Sequence, residues 1–457
     1  MTQALFPRNF RKSYPQAVRG EGCFIVTADG RRYLDAAGGA AVVTIGHGVQ
    51  SVARAMAEQA ERLAYVHSSQ FESAPAADLA RRLLALAPRS FRNGRVYLTS
   101  GGSEATETAI KLCRQYFLER GEAKRIRVIS RKQSYHGTTL GALAVSGNVA
   151  RREPFAPLLN EWGHIPPCYC YRCPMGLRYP ECNVDCADEL DRLLRRENQE
   201  TVAAFILEPL SGATLGAVPP PNGYLERIAE VCRMHGILLI ADEVMTGMGR
   251  TGRTFAVEHW SVEPDVILVG KGSASGYAPL GGVLVNERVV ETIQRGSGTF
   301  LHGFTYNAHP VAAAAGVAVL DYIAENHLFE RVETAGRDLR EALEPLAQLS
   351  VVGDIRGMGL LQGVEIVRER ESREPFPPDA HIASRIAEDA MEAGVVTYPM
   401  QGSVDGRRGD HILLAPPFTI SSSQIQMVAS ALRNALSELE NSHRSSAGGS
   451  PVAKSSQ

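Results

Sequence analysis

Between Arg95 and Asn286, short apolar runs alternate with stretches of helical periodicity. The runs are Val96 to Leu98, Ile126 to Ile129, Val202 to Leu207, Ile237 to Ala241, Val266 to Val269 and Gly282 to Val285. Runs without polar alternation suit strands covered on both faces, and parallel neighbours need the crossovers that intervening helices supply. The pattern predicts an α/β fold with a largely parallel sheet between helices. In such a sheet, ligands bind outside the carboxyl ends of the strands. Among those ends, GILLIADEV delivers an acid at Asp242 and DVILVGKGS delivers an amine at Lys271.

Each charge has a bland and a chemical reading. Asp242 is either a routine polar strand end or a partly buried acid that needs a cationic partner to remain ionised. Lys271 is either a solvated lysine or a desolvated amine of lowered pKa, which the apolar strand before it and the flanking Gly270 and Gly272 favour. A site that uses both groups suits pyridoxal phosphate, whose aldehyde takes a lysine as an imine and whose ring nitrogen takes an acid.

Upstream, TSGGSEATETAIKLCRQYF places a glycine-rich turn between an apolar run and a helix. Ala105, Ala109, Leu112, Cys113 and Tyr116 recur on one face of that helix. The free N–H groups of its first turn, with Gly101, Gly102 and the Ser103 hydroxyl, form a phosphate seat or an ordinary capped turn. Tyr135, in SYHGTT, either stacks flat on a ring or packs in a loop. Glu208 ends another apolar strand, where structural and ligand-binding roles fit equally. GMGRTG, from Gly247 to Gly252, spells the dinucleotide fingerprint but lacks a following helix and the acid about 20 residues beyond it.

The 457 residues suffice for a large core and a smaller lobe. A net charge of -2 without a Lys/Arg block argues against nucleic acid as a partner. No stretch reaches the roughly 18 apolar residues of a membrane span, and MTQALFPRNFRKSYP has no apolar core, so a cytoplasmic protein without membrane partners is expected. Five of the eight cysteines (Cys168, Cys170, Cys173, Cys182 and Cys186) crowd one segment. Their spacing suits free thiols or a metal, and no metal is assigned because the paired C-x-x-C geometry of familiar zinc sites is absent.

A hairpin is expected at Asp29-Gly30 and a helix from Val49 to about Leu63. Beyond His309-Pro310 come a long helix, RVETAGRDLREALEPLA, the strand-like GLLQGVEIV, the helix HIASRIAEDAMEAG and a last helix from Ser422 to about Glu440. The expected organisation is 1–55 as the N-terminal part of a small domain, 56–325 as the large domain, 326–441 as the C-terminal part of the small domain and 442–457 as a disordered tail.

In order and spacing, GHG at 46–48, SGGSEATETAIK, YHGTT, ILEPLSG, ADEVMTGMGRTG, GKGSASGYAPLGG, HGFTYNAHP and IRGMGLLQGVEI closely resemble the class III, or omega, aminotransferases of fold type I. The resemblance spans about Gly38 to Ile420 and implies a seven-stranded, mostly parallel sheet in the large domain plus a small α/β domain built from both termini. It implies pyridoxal 5'-phosphate held by Lys271 as the imine lysine and Asp242 at the ring nitrogen. Gly102 and Ser103 become phosphate ligands, Tyr135 the stacking aromatic with His136 beside it, Val244 the opposite face, and Glu208 a further contact. Thr305 is similar to a threonine that reaches the neighbouring subunit's phosphate, which implies a homodimer or a dimer of dimers.

Two departures bear on substrate. Met245 stands where relatives using ornithine, acetylornithine or 4-aminobutyrate have glutamine, and Leu413 where they have a carboxylate-binding arginine. The nearest cations, Arg407 and Arg408, lie where omega-amino-acid:pyruvate aminotransferases keep a mobile arginine, although a solvated loop pair reads as well. The expected reaction moves an amino group from an amine or omega-amino acid to a keto acid, pyruvate before others. A racemase, aminomutase or decarboxylase of the same fold is the alternative, and a dinucleotide-binding protein the remote one.

Overall fold

A computed structural model describes residues 4–447 of the chain. At its centre is a seven-stranded sheet in the spatial order Arg95–Thr99, Gly281–Val285, Val266–Val269, Leu238–Asp242, Val202–Leu207, Arg127–Arg131, His164–Ile165. All six apolar runs are strands of this sheet, and Gly281–Val285 alone runs against its neighbours. The seventh strand, His164–Ile165, is two residues long and pairs in parallel with Arg131.

Helices cover both faces. The helix Gly102–Glu119 buries Ala105, Ala109, Leu112, Cys113 and Tyr116, the face its periodicity predicts, against Ile206, Ile240, Leu268 and Val283. On the other face, Leu190 and Leu194 of the helix Asp185–Arg196 and Ile228 of the helix Tyr224–Met234 pack on Phe205 and Leu239. Removing this much apolar surface from water, at about 25 cal/mol per Å2, is the main driving force for assembling the layers.

The Asp29-Gly30 turn joins two strands of a four-stranded sheet, Phe24–Thr27 and Arg32–Asp35. Its fourth strand, Val395–Val396, comes from the far end of the chain and pairs in parallel with Leu34 and Asp35. A second four-stranded sheet is antiparallel: Val352–Met358, Leu361–Ile366, Asp410–Leu414 and Tyr398–Gln401. Of these four strands the sequence signalled only Leu361–Ile366. The last helix runs Ser422–Ala447, so the first six residues of the expected tail, 442–447, are helical, and 448–457 lie outside the described residues. Among the described residues, no helix is long and apolar enough to cross a membrane.

Candidate active site

Because Leu238–Asp242 and Val266–Val269 are parallel neighbours, the residues that leave their carboxyl ends meet at one edge of the sheet. Thr99 ends at the same edge, since Gly281–Val285 lies between its strand and Val266–Val269 and is antiparallel to both, so those two run the same way. The glycine-rich turn is therefore beside Lys271: a Cβ added to Gly270 would lie 3.2 Å from Val244 Cγ1 and 3.5 Å from the Gly102 nitrogen. Crowding is sharpest at Gly102, where an added Cβ would lie 2.8 Å from Val244 Cγ1, and Gly270 is tight against the same side chain.

One cavity takes its walls from Gly102, Ser103, Tyr135, His136, Glu208, Asp242, Val244 and Lys271, the residues expected on one ligand. Asp242 is buried; its Oδ2 lies 2.7 Å from His136 Nδ1, and its Oδ1 accepts the Val244 N–H at 3.1 Å. The imidazole's other nitrogen is buried without a partner among the described residues. Lys271 occupies the left-handed region at φ +42°, a strained conformation for a side-chain-bearing residue. Its amine makes no hydrogen bond or salt bridge among the described residues, and burial lowers its pKa to about 8, with Asp242 and Glu208 pulling the other way.

The helix Gly102–Glu119 starts with no side chain capping its first turn, so backbone N–H groups face the cavity edge. Ser103 Oγ accepts the Thr138 N–H at 3.1 Å, which ties the turn to the Tyr135 loop. Glu208 is buried, its Oε2 has no partner among the described residues, and burial raises its pKa to about 7. Tyr135 carries the Arg151 guanidinium carbon 4.4 Å from its ring centroid.

Arg407 and Arg408 lie away from this cavity, and Thr305, expected at a neighbouring subunit's phosphate, lies on the surface of this chain. Thr305 is exposed, and its carbonyl accepts the Tyr65 hydroxyl at 2.8 Å. Arg407 is paired with Glu153 at 2.7 Å and Arg408 with Asp405 at 2.7 Å, both largely exposed. Conversely, Leu210, Ala213 and Met245 line the cavity, backed by the fully buried Leu413. The two departures noted in the sequence thus share one apolar wall. Leu210 sits two residues after Glu208 in ILEPLSG, a signal the sequence carried, whereas nothing in the polar SGNVARREPF marks Arg151. Glu243, next to Asp242, is buried under Thr246 and the Val257 N–H and has its pKa raised to about 7 by burial, a structural acid rather than a cavity group.

The segment GMGRTG forms consecutive turns rather than a helix start, and Arg250 is sunk among the carbonyls of Val43, Leu360 and Pro416. The eight cysteines are free thiols. Cys170, Cys173, Cys182 and Cys186 line one small cleft, but no group of three or more His, Cys, Asp or Glu among the described residues is disposed to hold a metal ion.

A mostly parallel seven-stranded sheet with a lysine and an aspartate on adjacent strand ends, and a helix N-terminus beside them, defines a fold type I transferase of the pyridoxal phosphate class. Residues 6–436 match the family of class III aminotransferases, and the chain belongs to it. The Bacillus subtilis aminotransferase YodT is 38% identical over 442 residues, 96% of this chain and 99% of the relative. The probable aminotransferase Rv3329 of Mycobacterium tuberculosis is 38% identical over 93% of this chain and 90% of its own. Among solved structures, an (S)-enantioselective omega-transaminase from Thermomicrobium roseum superposes with a TM-score of 0.89 at 38% identity, covering 96% of each chain. An amine transaminase from an uncultivated Pseudomonas species, solved in its PLP-bound form, gives 0.89 at 36% identity over 96% of this chain and 98% of its own. Class III aminotransferases depend on pyridoxal phosphate and use amine and keto acid substrates, and the chain is an enzyme of this kind.

Proposed function

We propose that this chain binds pyridoxal phosphate through Lys271 and transfers an amino group from an amine or omega-amino acid to a small keto acid, pyruvate in preference to 2-oxoglutarate. The observation that carries the reading is the unpaired Lys271 amine facing a buried aspartate in a cavity closed by an uncapped helix N-terminus. The residues fit the cofactor: the first turn of Gly102–Glu119 and Ser103 suit its phosphate, Asp242 its ring nitrogen, and Tyr135 and Val244 its faces. The unsatisfied Glu208 Oε2 and His136 Nε2 are further polar atoms left for a ligand to meet.

When bound, the cofactor supplies a carbonyl for the donor's amine and a ring that withdraws electrons from the donor carbon. Lys271 Nζ, with its pKa near 8, is neutral in a useful fraction of molecules at neutral pH and takes the proton from that carbon. Asp242, oriented by His136 and the Val244 N–H, holds a positive charge at the ring nitrogen. Leu210, Ala213 and Met245 exclude water from the substrate side and offer nothing to a second carboxylate.

The same proposal includes a homodimer, supported by exposed Thr305 beside Leu301 and Tyr306, which are 77% and 62% exposed in the single chain. It also includes a cytoplasmic location, which the free thiols support. The test is to load the protein with cofactor and follow its visible absorption through a panel of amines. Donors should bleach the lysine-bound form, pyruvate should restore it faster than 2-oxoglutarate, and borohydride should label Lys271. A spectrum that no amine changes, or label on another residue, would sink the reading.

A further inference from the structure

A keto acid brings a carboxylate to the cavity, and among the cavity-lining residues the lone cation is Lys271, already committed to the amine chemistry. The arginines nearby are mostly engaged. Arg407 holds Glu153, Arg408 holds Asp405, and Arg152 holds Glu161. Arg131 donates to the Glu208 carbonyl and to Cys168 Sγ, and Arg250 to three carbonyls.

Arg151 differs. It is half-buried, and among the described residues its guanidinium has no acidic partner and no hydrogen bond. Its guanidinium carbon lies over the Tyr135 ring, 4.4 Å from the centroid, and Tyr135 is itself a wall of the cavity. A guanidinium stacked on an aromatic face keeps its donors at the edge, in the fork that matches a carboxylate. Its backbone is fixed independently of the ring. Asn148 caps the one-turn helix Val149–Arg152 by accepting the Arg151 N–H at 3.0 Å. Gly406 lies against Val149, so close that an added Cβ would sit 2.5 Å from Cγ2, and the Arg407–Glu153 pair fastens the same loop to the residue that follows the turn. The charge of Arg151 is also felt at Lys271, whose protonation it opposes.

We propose that Arg151, stacked on Tyr135, binds the carboxylate of the keto acid, and that the acceptors are short 2-oxo acids bearing one carboxylate. This rests on the aminotransferase reading above and adds the residue that selects the acceptor. Arg407 then secures the loop instead of swinging into the site. A longer acceptor with a second carboxylate would end against Leu210, Ala213 and Met245, where nothing answers its charge.

The experiment uses cofactor-loaded wild type, Arg151→Gln, Arg151→Lys and Arg407→Ala, with the two half-reactions measured separately. Benzylamine serves as an uncharged donor, and pyruvate and pyruvamide as charged and neutral acceptors. In Arg151→Gln the half-saturating pyruvate concentration should rise at least tenfold while that for benzylamine moves less than threefold. Arg151→Lys should recover part of the loss. Wild type should favour pyruvate over pyruvamide at least tenfold, and Arg151→Gln should lose that preference. Propionate, which carries a carboxylate without a reactive carbonyl, should bind wild-type holoenzyme in calorimetry and bind Arg151→Gln at least tenfold more weakly. Equal shifts for benzylamine and pyruvate, no preference for pyruvate over pyruvamide in wild type, or a selective keto acid effect in Arg407→Ala larger than that in Arg151→Gln would each overturn the assignment. The wild-type comparison with pyruvamide can overturn the assignment even if the Arg151 variants fold poorly. Wild type that turns over no amine at all would instead remove the aminotransferase reading beneath it.

Discussion

Lys271 concentrates two unfavourable terms at one position: a left-handed backbone and an amine stripped of water. Such strain is of order 1–3 kcal/mol and persists where the surroundings over-determine it. Asparagine tolerates that backbone region and carries no charge, so Lys271→Asn should abolish transamination while the cofactor-free protein melts several degrees higher than wild type in calorimetry. A lower melting temperature would contradict the strain argument. Glu208 gives a pH prediction. Its folded pKa of about 7 lies above the ordinary 4.5, so the folded state holds the proton between those values and stability falls as pH rises through that window. Glu208→Gln should flatten the fall in denaturant midpoint of the cofactor-free protein from about pH 4.5 to 7, and Glu243, raised to a similar value, should retain its own share. Lys271 and Asp242 were legible in the sequence as candidates because an amine and an acid both leave apolar runs at the edge where such sheets bind ligands. Arg151 was not, since its meaning comes from a ring contacted across a loop and from partners it lacks.

At the scale of the element, the start of the helix Gly102–Glu119 has the least spare room. A methyl group on Gly102 would meet Val244 Cγ1 at 2.8 Å and Cγ2 at 3.1 Å, two branches of a stiff side chain. Gly102→Ala should therefore weaken pyridoxal phosphate affinity at least tenfold in an absorbance titration, and Val244→Ala in the same chain should restore much of it. Independent, additive losses would show that the two do not meet. The strands of the central sheet were readable because burial on both faces writes a plain apolar run. The sheet Val352–Met358, Leu361–Ile366, Asp410–Leu414 and Tyr398–Gln401 was mostly not readable, and its buried charges explain why. Glu365 turns inward to Arg356 and Arg172 at 2.6 Å each, and His411 Nε2–H donates to the Ala213 carbonyl at 2.8 Å. Polar residues at core positions erase the period-two signal. His164–Ile165 is too short to carry any pattern.

For the whole molecule, the proposed dimer makes a prediction about concentration. Tyr306 stacks edge-on to Tyr65 at 6.1 Å on the face that carries exposed Leu301 and Thr305. Tyr306→Arg should shift the sedimentation profile toward monomer, and activity should fall with dilution in step with that shift. Full activity in a monomer would remove Thr305 from any shared site. The order in which the chain leaves the ribosome is bound by another long-range connection. The strand Arg32–Asp35 is made several hundred residues before its neighbour Val395–Val396. At about 5–20 residues per second, the nascent chain therefore presents an unpaired strand edge for tens of seconds, the kind of edge that invites pairing with other chains. A chain broken off before Val395 leaves that edge open for good, so premature termination yields an aggregating fragment rather than a smaller working enzyme.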